Sequence, residues 1–117
     1  MMEEFVGRVF ALRNATHLAH WASKSYAEHK TLGKFYDALV DGIDGIVEAY
    51  QGWYGLIGEV RILQIPKTDI VSKIHAELAW IANNRDKITQ KNPMLAALVD
   101  DFMTEYSTTL YKLVNLK

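Results

Sequence analysis

The chain has 117 residues, half of them apolar or aromatic, and a formal net charge of -1 at pH 7. This length suits one globular domain. A nearly neutral chain has no general attraction to DNA or to an anionic membrane, and the absence of cysteine excludes disulfides and thiolate metal sites. An acidic start and the lack of a long apolar run indicate neither a signal peptide nor a membrane span. We therefore expect a single cytoplasmic domain over residues 1–117.

The first half of the chain predicts two helices. Apolar residues recur every three or four positions from Phe5, which indicates a helix over residues 3–22. Ser25 has Glu28 three residues later, and this is the spacing of a capping box. A second helix of about 28 residues should start there.

Two dipeptides inside the second helix, Asp41-Gly42 and Asp44-Gly45, are of a kind that usually marks turns. Apolar residues nevertheless continue at helical spacing, in the same phase, on both sides of the dipeptides. A turn would be expected to change that phase. We therefore predict one continuous helix. The two glycines are interpreted as places where the backbone of another helix comes close.

The second half of the chain predicts two more helices, each introduced by a proline, which suits the first turn of a helix. The third should run from about Pro66 to Thr89, and the fourth from Asn92-Pro93 through Leu113. Four amphipathic helices form a bundle, so the expected fold class is an all-α four-helix bundle.

Connection lengths indicate how the helices are arranged. The first two helices and the last two are joined by about three residues each, so each pair should be an antiparallel hairpin. The middle connection, residues 55–65, could span roughly 36 Å when extended, against about 30 Å for a 20-residue helix. It is long enough for a ferritin-like crossover that makes helices 2 and 3 parallel. A folded loop joining antiparallel neighbours fits the same residues.

Histidines and carboxylates in the first half could bind a metal. His20 and His29 flank the first hairpin, while Asp44 and Glu48 lie four residues apart and share one face of helix 2. Imidazole and carboxylate are ligands for iron, manganese or zinc. Helix 2 places His29 roughly 28 Å from Glu48, so a shared site needs a second subunit whose helix 2 runs antiparallel across a two-fold axis.

The same residues have simpler interpretations. Asp37 and Asp41 suit the solvated face of an amphipathic helix, although either could also supply a carboxylate to the metal. His17 is expected to be a hydrogen-bonded residue rather than a ligand. The three tryptophans are expected to pack in the core or at an interface, namely Trp21, Trp53 and Trp80.

One segment resembles the ferroxidase region of the Dps family, the small ferritin-like proteins that protect DNA during starvation. The resemblance covers residues 12–52 and rests on His20-Trp21, Tyr26, His29-Lys30-Thr31-Leu32, Phe35-Tyr36-Asp37-Ala38-Leu39 and Asp44-Gly45-Ile46-Val47-Glu48. It implies iron or another divalent metal held between two subunits by His20, His29, Asp44 and Glu48. Short ferritin-like chains of this kind also resemble some bacteriophage-encoded proteins of unassigned role.

The chain departs from the Dps pattern at one ligand position, because Gly33 stands where the family has an aspartate. The basic N-terminal extension of the family is also missing, so direct DNA binding is not expected. Two hypotheses follow. The protein is a homodimer or larger oligomer that binds iron or another divalent metal, with oxidation of Fe(II) as the reaction if iron binds. Alternatively, it is a non-catalytic interaction or scaffold bundle with a degenerate site.

Overall fold

A computed structural model describes residues 1–64 and 69–117. In that part of the chain it contains no strand and four helices, which are α1 (Met2–Ala22), α2 (Tyr26–Tyr54), α3 (Ile70–Thr89) and α4 (Pro93–Asn115). The predicted all-α four-helix bundle is confirmed. None of the helices in these residues has the length and apolar character needed to cross a membrane.

The start of α2 follows from a local capping interaction. The Ser25 hydroxyl oxygen accepts a hydrogen bond from the Glu28 backbone N–H at 3.3 Å, and it thereby satisfies one of the free donors at the helix N-terminus. From there α2 continues without interruption to Tyr54. The predicted single helix is confirmed, and the turn that the aspartyl-glycine dipeptides could have formed is not present.

The last two helices also start at side-chain caps. Helix α4 begins at Pro93, as predicted, and the Asn92 side chain accepts hydrogen bonds from its first turn. Helix α3 begins at Ile70, because the carboxylate of Asp69 accepts a hydrogen bond from the Ser72 N–H at 2.9 Å. The predicted start near Pro66 lies outside the described residues, and the first described helical residue is Ile70.

Contacts between helices define their directions. Each helix packs on two neighbours: α1 and α4 both pack on α2 and α3. Arg8 of α1 forms an ion pair with Glu77 of α3, and the end of α1 borders the start of α3, so these two helices are antiparallel. The ring of Phe35 packs on Tyr106 near the start of α2, so α2 and α4 are antiparallel as well.

The connection between α2 and α3 runs back along α1. The Gly58 N–H donates a hydrogen bond to the Glu3 carboxylate at 2.9 Å, and the Arg61 carbonyl lies so close to Gly7 that a Cβ there would collide with it. Residues 62–64 then border the second half of α1. Helices α2 and α3 are consequently parallel, and the folded-loop alternative is wrong. Bundles of one topology serve many functions, so this path does not by itself assign a family.

The core is aromatic at its centre. Phe5 packs against Trp80 at a centroid distance of 6.3 Å and against the edge of Phe102 at 5.8 Å. Trp80 therefore packs against the core, which is one of the two places predicted for the tryptophans. Trp21 and Trp53 do not, since 67% and 54% of their surfaces are exposed.

The glycines of the two aspartyl-glycine dipeptides, Gly42 and Gly45, do not contact the backbone of another helix among the described residues, and the prediction is wrong for Gly42. A Cβ at Gly42 would collide with the ring of Phe102, so this glycine accommodates a side chain of α4 rather than a helix backbone. A Cβ at Gly45 would meet no described heavy atom within 4 Å. Among residues 1–64 and 69–117, Gly45 therefore has no packing reason to be glycine.

Candidate functional site

The α1–α2 hairpin brings two of the predicted ligands into direct contact. His20 lies in the last turn of α1 and His29 in the first turns of α2. Their rings are stacked, with centroids 3.7 Å apart and planes 18° from parallel. Both side chains are half-buried. The prediction placed these residues in one site, and the hairpin does bring them together.

Each histidine is also hydrogen-bonded to the backbone of the other. The Nδ1 of His20 lies 2.5 Å from the carbonyl oxygen of His29, and the Nδ1 of His29 lies 2.9 Å from the carbonyl oxygen of His20. Carbonyl oxygens only accept hydrogen bonds, so both Nδ1 atoms must carry the proton. In the neutral rings the lone pair is then on Nε2. The His29 ring also satisfies a carbonyl near the end of α1 that has no partner within the helix.

Gly33 has a packing reason to lack a side chain. A Cβ at this position would lie 2.9 Å from Cε1 of His20 and 3.1 Å from its Nδ1. The ring of His20 thus occupies the space that a side chain at position 33 would need. Gly33, which stands where the Dps pattern has an aspartate, is therefore required for the stacking of the two histidines.

A surface depression of about 500 Å³ opens beside the two histidines, and its other lining residues are Tyr26, Lys30, Gly33, Lys34, Tyr36 and Asp37. Asp37, one of the two predicted substitutes for the missing carboxylate, therefore borders the same depression as His20 and His29. Asp41, the other substitute, instead lines a groove between α2 and α4.

The other two predicted ligands lie elsewhere on α2. Asp44 and Glu48 are exposed, and Asp44 is 15 residues beyond His29, or roughly 22 Å along the helix. Within residues 1–64 and 69–117, no three His, Asp or Glu side chains lie close enough to hold a metal ion. A single molecule therefore presents the imidazoles and the carboxylate pair as separate groups.

Aromatic contacts around the hairpin were not predicted. The ring of His17 lies between Trp21 at 4.3 Å and Tyr36 at 4.2 Å, and the Arg13 guanidinium lies 5.2 Å from the centre of the Tyr36 ring. The i, i+4 spacing of His17 and Trp21 was the available signal. His17 therefore has a packing role beside the candidate site.

These features define the protein as a four-helix bundle with a stacked, hydrogen-bonded histidine pair at one hairpin. The chain belongs to a family of unknown function, DUF5856, whose model matches residues 20–113. It is also similar to the "Uncharacterized 14.6 kDa protein in mobD-ri intergenic region" of Enterobacteria phage T4, with 38% identity over 53 residues. That match covers 45% of this chain and 41% of the phage protein. No solved structure matches the chain.

These comparisons correct the resemblance to the Dps family. Both findings lead to proteins of unknown function, and neither indicates a Dps or ferritin-like family. The predicted likeness to a bacteriophage protein is confirmed. Iron oxidation was implied only by the Dps resemblance and loses that support, whereas the residues at the hairpin can be judged by their own geometry.

Proposed function

We propose that this protein binds a divalent transition metal between two molecules, with His20 and His29 from one and Asp44 and Glu48 from the other. The observation that supports this most directly is the pair of hydrogen bonds from Nδ1 to backbone carbonyls. Histidines that ligate metals commonly donate their second ring N–H to a carbonyl or carboxylate, which fixes the tautomer and orients the ring. Here both rings are held in this way, with Nε2 left for a ligand.

A second molecule is part of the proposal for a geometric reason. The lone pair of an imidazole nitrogen lies in the ring plane, and two stacked rings whose planes are only 18° from parallel and whose centroids are 3.7 Å apart do not direct both lone pairs to one point. The stacked rings therefore suit two neighbouring ions, or one ion after a ring tilts. Either arrangement leaves coordination positions for carboxylates, and Asp44 and Glu48 share a helix face that a second molecule can present.

The ligand types restrict the metal. Imidazole and carboxylate together suit zinc, iron, cobalt or manganese, while a site without thiolates is poorly suited to Cu(I). Asp37 borders the depression and can add a carboxylate from the first molecule. The proposal concerns binding and includes no oxidation step.

Titration of the metal-free protein with Co(II) tests this function, because the visible spectrum of cobalt reports the ligands and light scattering reports the mass. We expect binding accompanied by a rise in mass. The double variant Asp44→Asn/Glu48→Gln should weaken binding by at least about tenfold, whereas Asp86→Asn, an exposed carboxylate change on α3, should leave it unchanged. Equal binding by all three proteins would contradict the proposed ligands.

The second candidate is a non-catalytic interaction bundle, and the same two hydrogen bonds favour it. They join α1 to α2 and so give both histidines a structural role without any metal. Under this alternative, the protein does not bind cobalt, and the only effect of His29→Ala is to lower the stability of the α1–α2 hairpin.

A further inference from the structure

A groove between α2 and α4 lies next to the histidine depression and shares Lys34 with it, but its larger part faces another direction from α2. Asp37 borders the depression and Ala38 borders the groove, and consecutive helical residues point about 100° apart. The groove consists of two cavities, of about 410 and 160 Å³, that both include Glu105 among their lining residues. The two cavities therefore lie end to end.

The charges of the groove change sign along its length. Asp41, Asp101 and Glu105 line the larger cavity, whereas Lys34 and Lys112 line the smaller one. None of these five side chains forms an ion pair or hydrogen bond with a described residue. One end of the groove is thus acidic and the other basic, and neither end has a charged partner among the described residues.

The floor of the groove is small and apolar. The larger cavity is floored by Ala38, Gly42, Gly45, Ile46, Leu98 and Phe102. Gly45 faces open space, and Leu98 is 38% exposed at the surface. A glycine in mid-helix costs about 1 kcal/mol relative to alanine, so an approaching backbone would give Gly45 the packing reason that it lacks within the chain.

We propose that a second copy of this chain docks in the groove through the same surface, with the two α2–α4 pairs related by a two-fold axis near Ala38. Along α2, Lys34 lies about 6 Å to one side of Ala38 and Asp41 about 4.5 Å to the other. A two-fold rotation therefore places Lys34 of each copy beside Asp41 of the other. Such an isologous contact forms each complementary pair twice.

The sign change along α4 is consistent with the same axis. Lys112 lies beyond Glu105 on the side of Lys34, and Asp101 lies on the side of Asp41. The rotation therefore turns the basic end of each groove toward the acidic end of the other. Glu105, which borders both cavities, lies near the axis and close to its own copy, so the four Lys34 and Lys112 ammonium groups must offset this repulsion. No metal takes part in this contact, so it can be tested with a chelator present, separately from the proposed metal site, although Lys34 borders the histidine depression as well.

Sedimentation equilibrium of the full chain with a chelator present tests the proposal. We expect a reversible dimer of twice the 13.3 kDa chain mass, weakened by added salt because exposed charges are screened. Lys34→Glu alone and Asp41→Lys alone should each weaken dimerisation by about tenfold. The double variant Lys34→Glu/Asp41→Lys should restore it, since both pairs are then reversed.

Lys24→Glu is the matched control, because it makes the same charge change at an exposed hairpin residue outside the groove and should leave the dimer unchanged. Circular dichroism shows whether each variant keeps its helices. A wild-type protein that remains monomeric at high concentration would overturn the proposal. So would a folded double variant that dimerises no better than the single variants.

Discussion

The ring of His20 lies against Gly33, on the neighbouring helix, so closely that a Cβ at position 33 would approach Cε1 to 2.9 Å. This contact links the helix backbone of α2 to the position of a candidate ligand at the end of α1. The histidine pair, its tautomers and the glycine therefore act as one unit, which a single added methyl group would disturb.

Gly33→Ala is expected to displace the His20 ring and to weaken its hydrogen bond to the His29 carbonyl. Long-range ¹H–¹⁵N NMR correlations of the imidazoles provide the measurement. At alkaline pH, both rings of the wild-type protein should show the proton on Nδ1. The variant should show a mixture of tautomers at His20, and an unchanged spectrum would argue against the described contact.

Two glycines of α2 provide a matched pair of stability predictions. Gly42→Ala should lower the free energy of unfolding by about 1–2 kcal/mol, because the collision with Phe102 outweighs the gain in helix propensity. Gly45→Ala adds its methyl group to open space and should raise the free energy of unfolding by about 0.5–1 kcal/mol. Urea unfolding at concentrations where the protein is monomeric measures both changes, and effects of the same sign would contradict this account.

The Arg8–Glu77 ion pair between α1 and α3 should make stability depend on pH. The Nη2 of Arg8 lies 3.1 Å from Oε2 of Glu77. Burial raises the pKa of Glu77, and the charge and hydrogen bond of Arg8 oppose that shift. A raised pKa means that the folded state binds the proton more tightly than the unfolded state. The contribution of Glu77 to the free energy of unfolding therefore falls as the pH rises from the ordinary carboxyl pKa to the raised pKa of the folded state, and it is constant above that.

Removing the cation should enlarge that effect. Arg8→Met is expected to cost about 1–3 kcal/mol at pH 7, because a poorly solvated carboxylate loses its partner. The cost should be smaller at a pH below the ordinary carboxyl pKa, because the raised pKa of Glu77 favours its neutral form there. Adding Glu77→Gln to Arg8→Met should recover part of the loss at pH 7. An equal loss at both pH values would show that the Arg8 side chain contributes through packing alone.

Tyr106 should be replaceable by phenylalanine. Its ring packs edge-on against Phe35 and Phe102, at 5.2 and 5.3 Å, and its buried hydroxyl has no hydrogen-bond partner among the described residues. Burial raises the pKa of this hydroxyl far above that of an ordinary tyrosine.

Since an unpaired buried hydroxyl is unfavourable, Tyr106→Phe should leave the free energy of unfolding unchanged or raise it by up to about 1 kcal/mol. Tyr111→Phe, an exposed position, is the control and should have no effect. A loss of more than about 1 kcal/mol for Tyr106→Phe, measured by urea unfolding, would show that the hydroxyl binds an internal water.

The Dps resemblance misled because its spacing is not specific. Intervals of 15 and 4 residues both bring side chains back to one side of an α-helix, so any long amphipathic helix can contain them. Asp44 and Glu48 lie on the exposed surface of α2, as the helical period alone requires. The period of a helix thus accounts for a spacing that was interpreted as the signature of a family.

Local interactions explain what the sequence alone determined. The capping residues Ser25 and Asn92 set the starts of α2 and α4, and the apolar period set which face of each helix is buried. Both depend on neighbours a few positions away, so the sequence contains all the information that they need. The continuity of α2 through two aspartyl-glycine dipeptides followed from the same period.

Only the tertiary structure decided the features that depend on distant contacts. The length of the α2–α3 connection permitted two paths, and the contacts of Gly7 and Glu3 with that connection selected the one along α1. The stacking of His20 on His29 depends on how closely two helices approach, and the lack of a side chain at Gly33 makes that approach possible. Contacts of this kind join residues that share no local pattern, so their cause becomes visible only when the helices are packed.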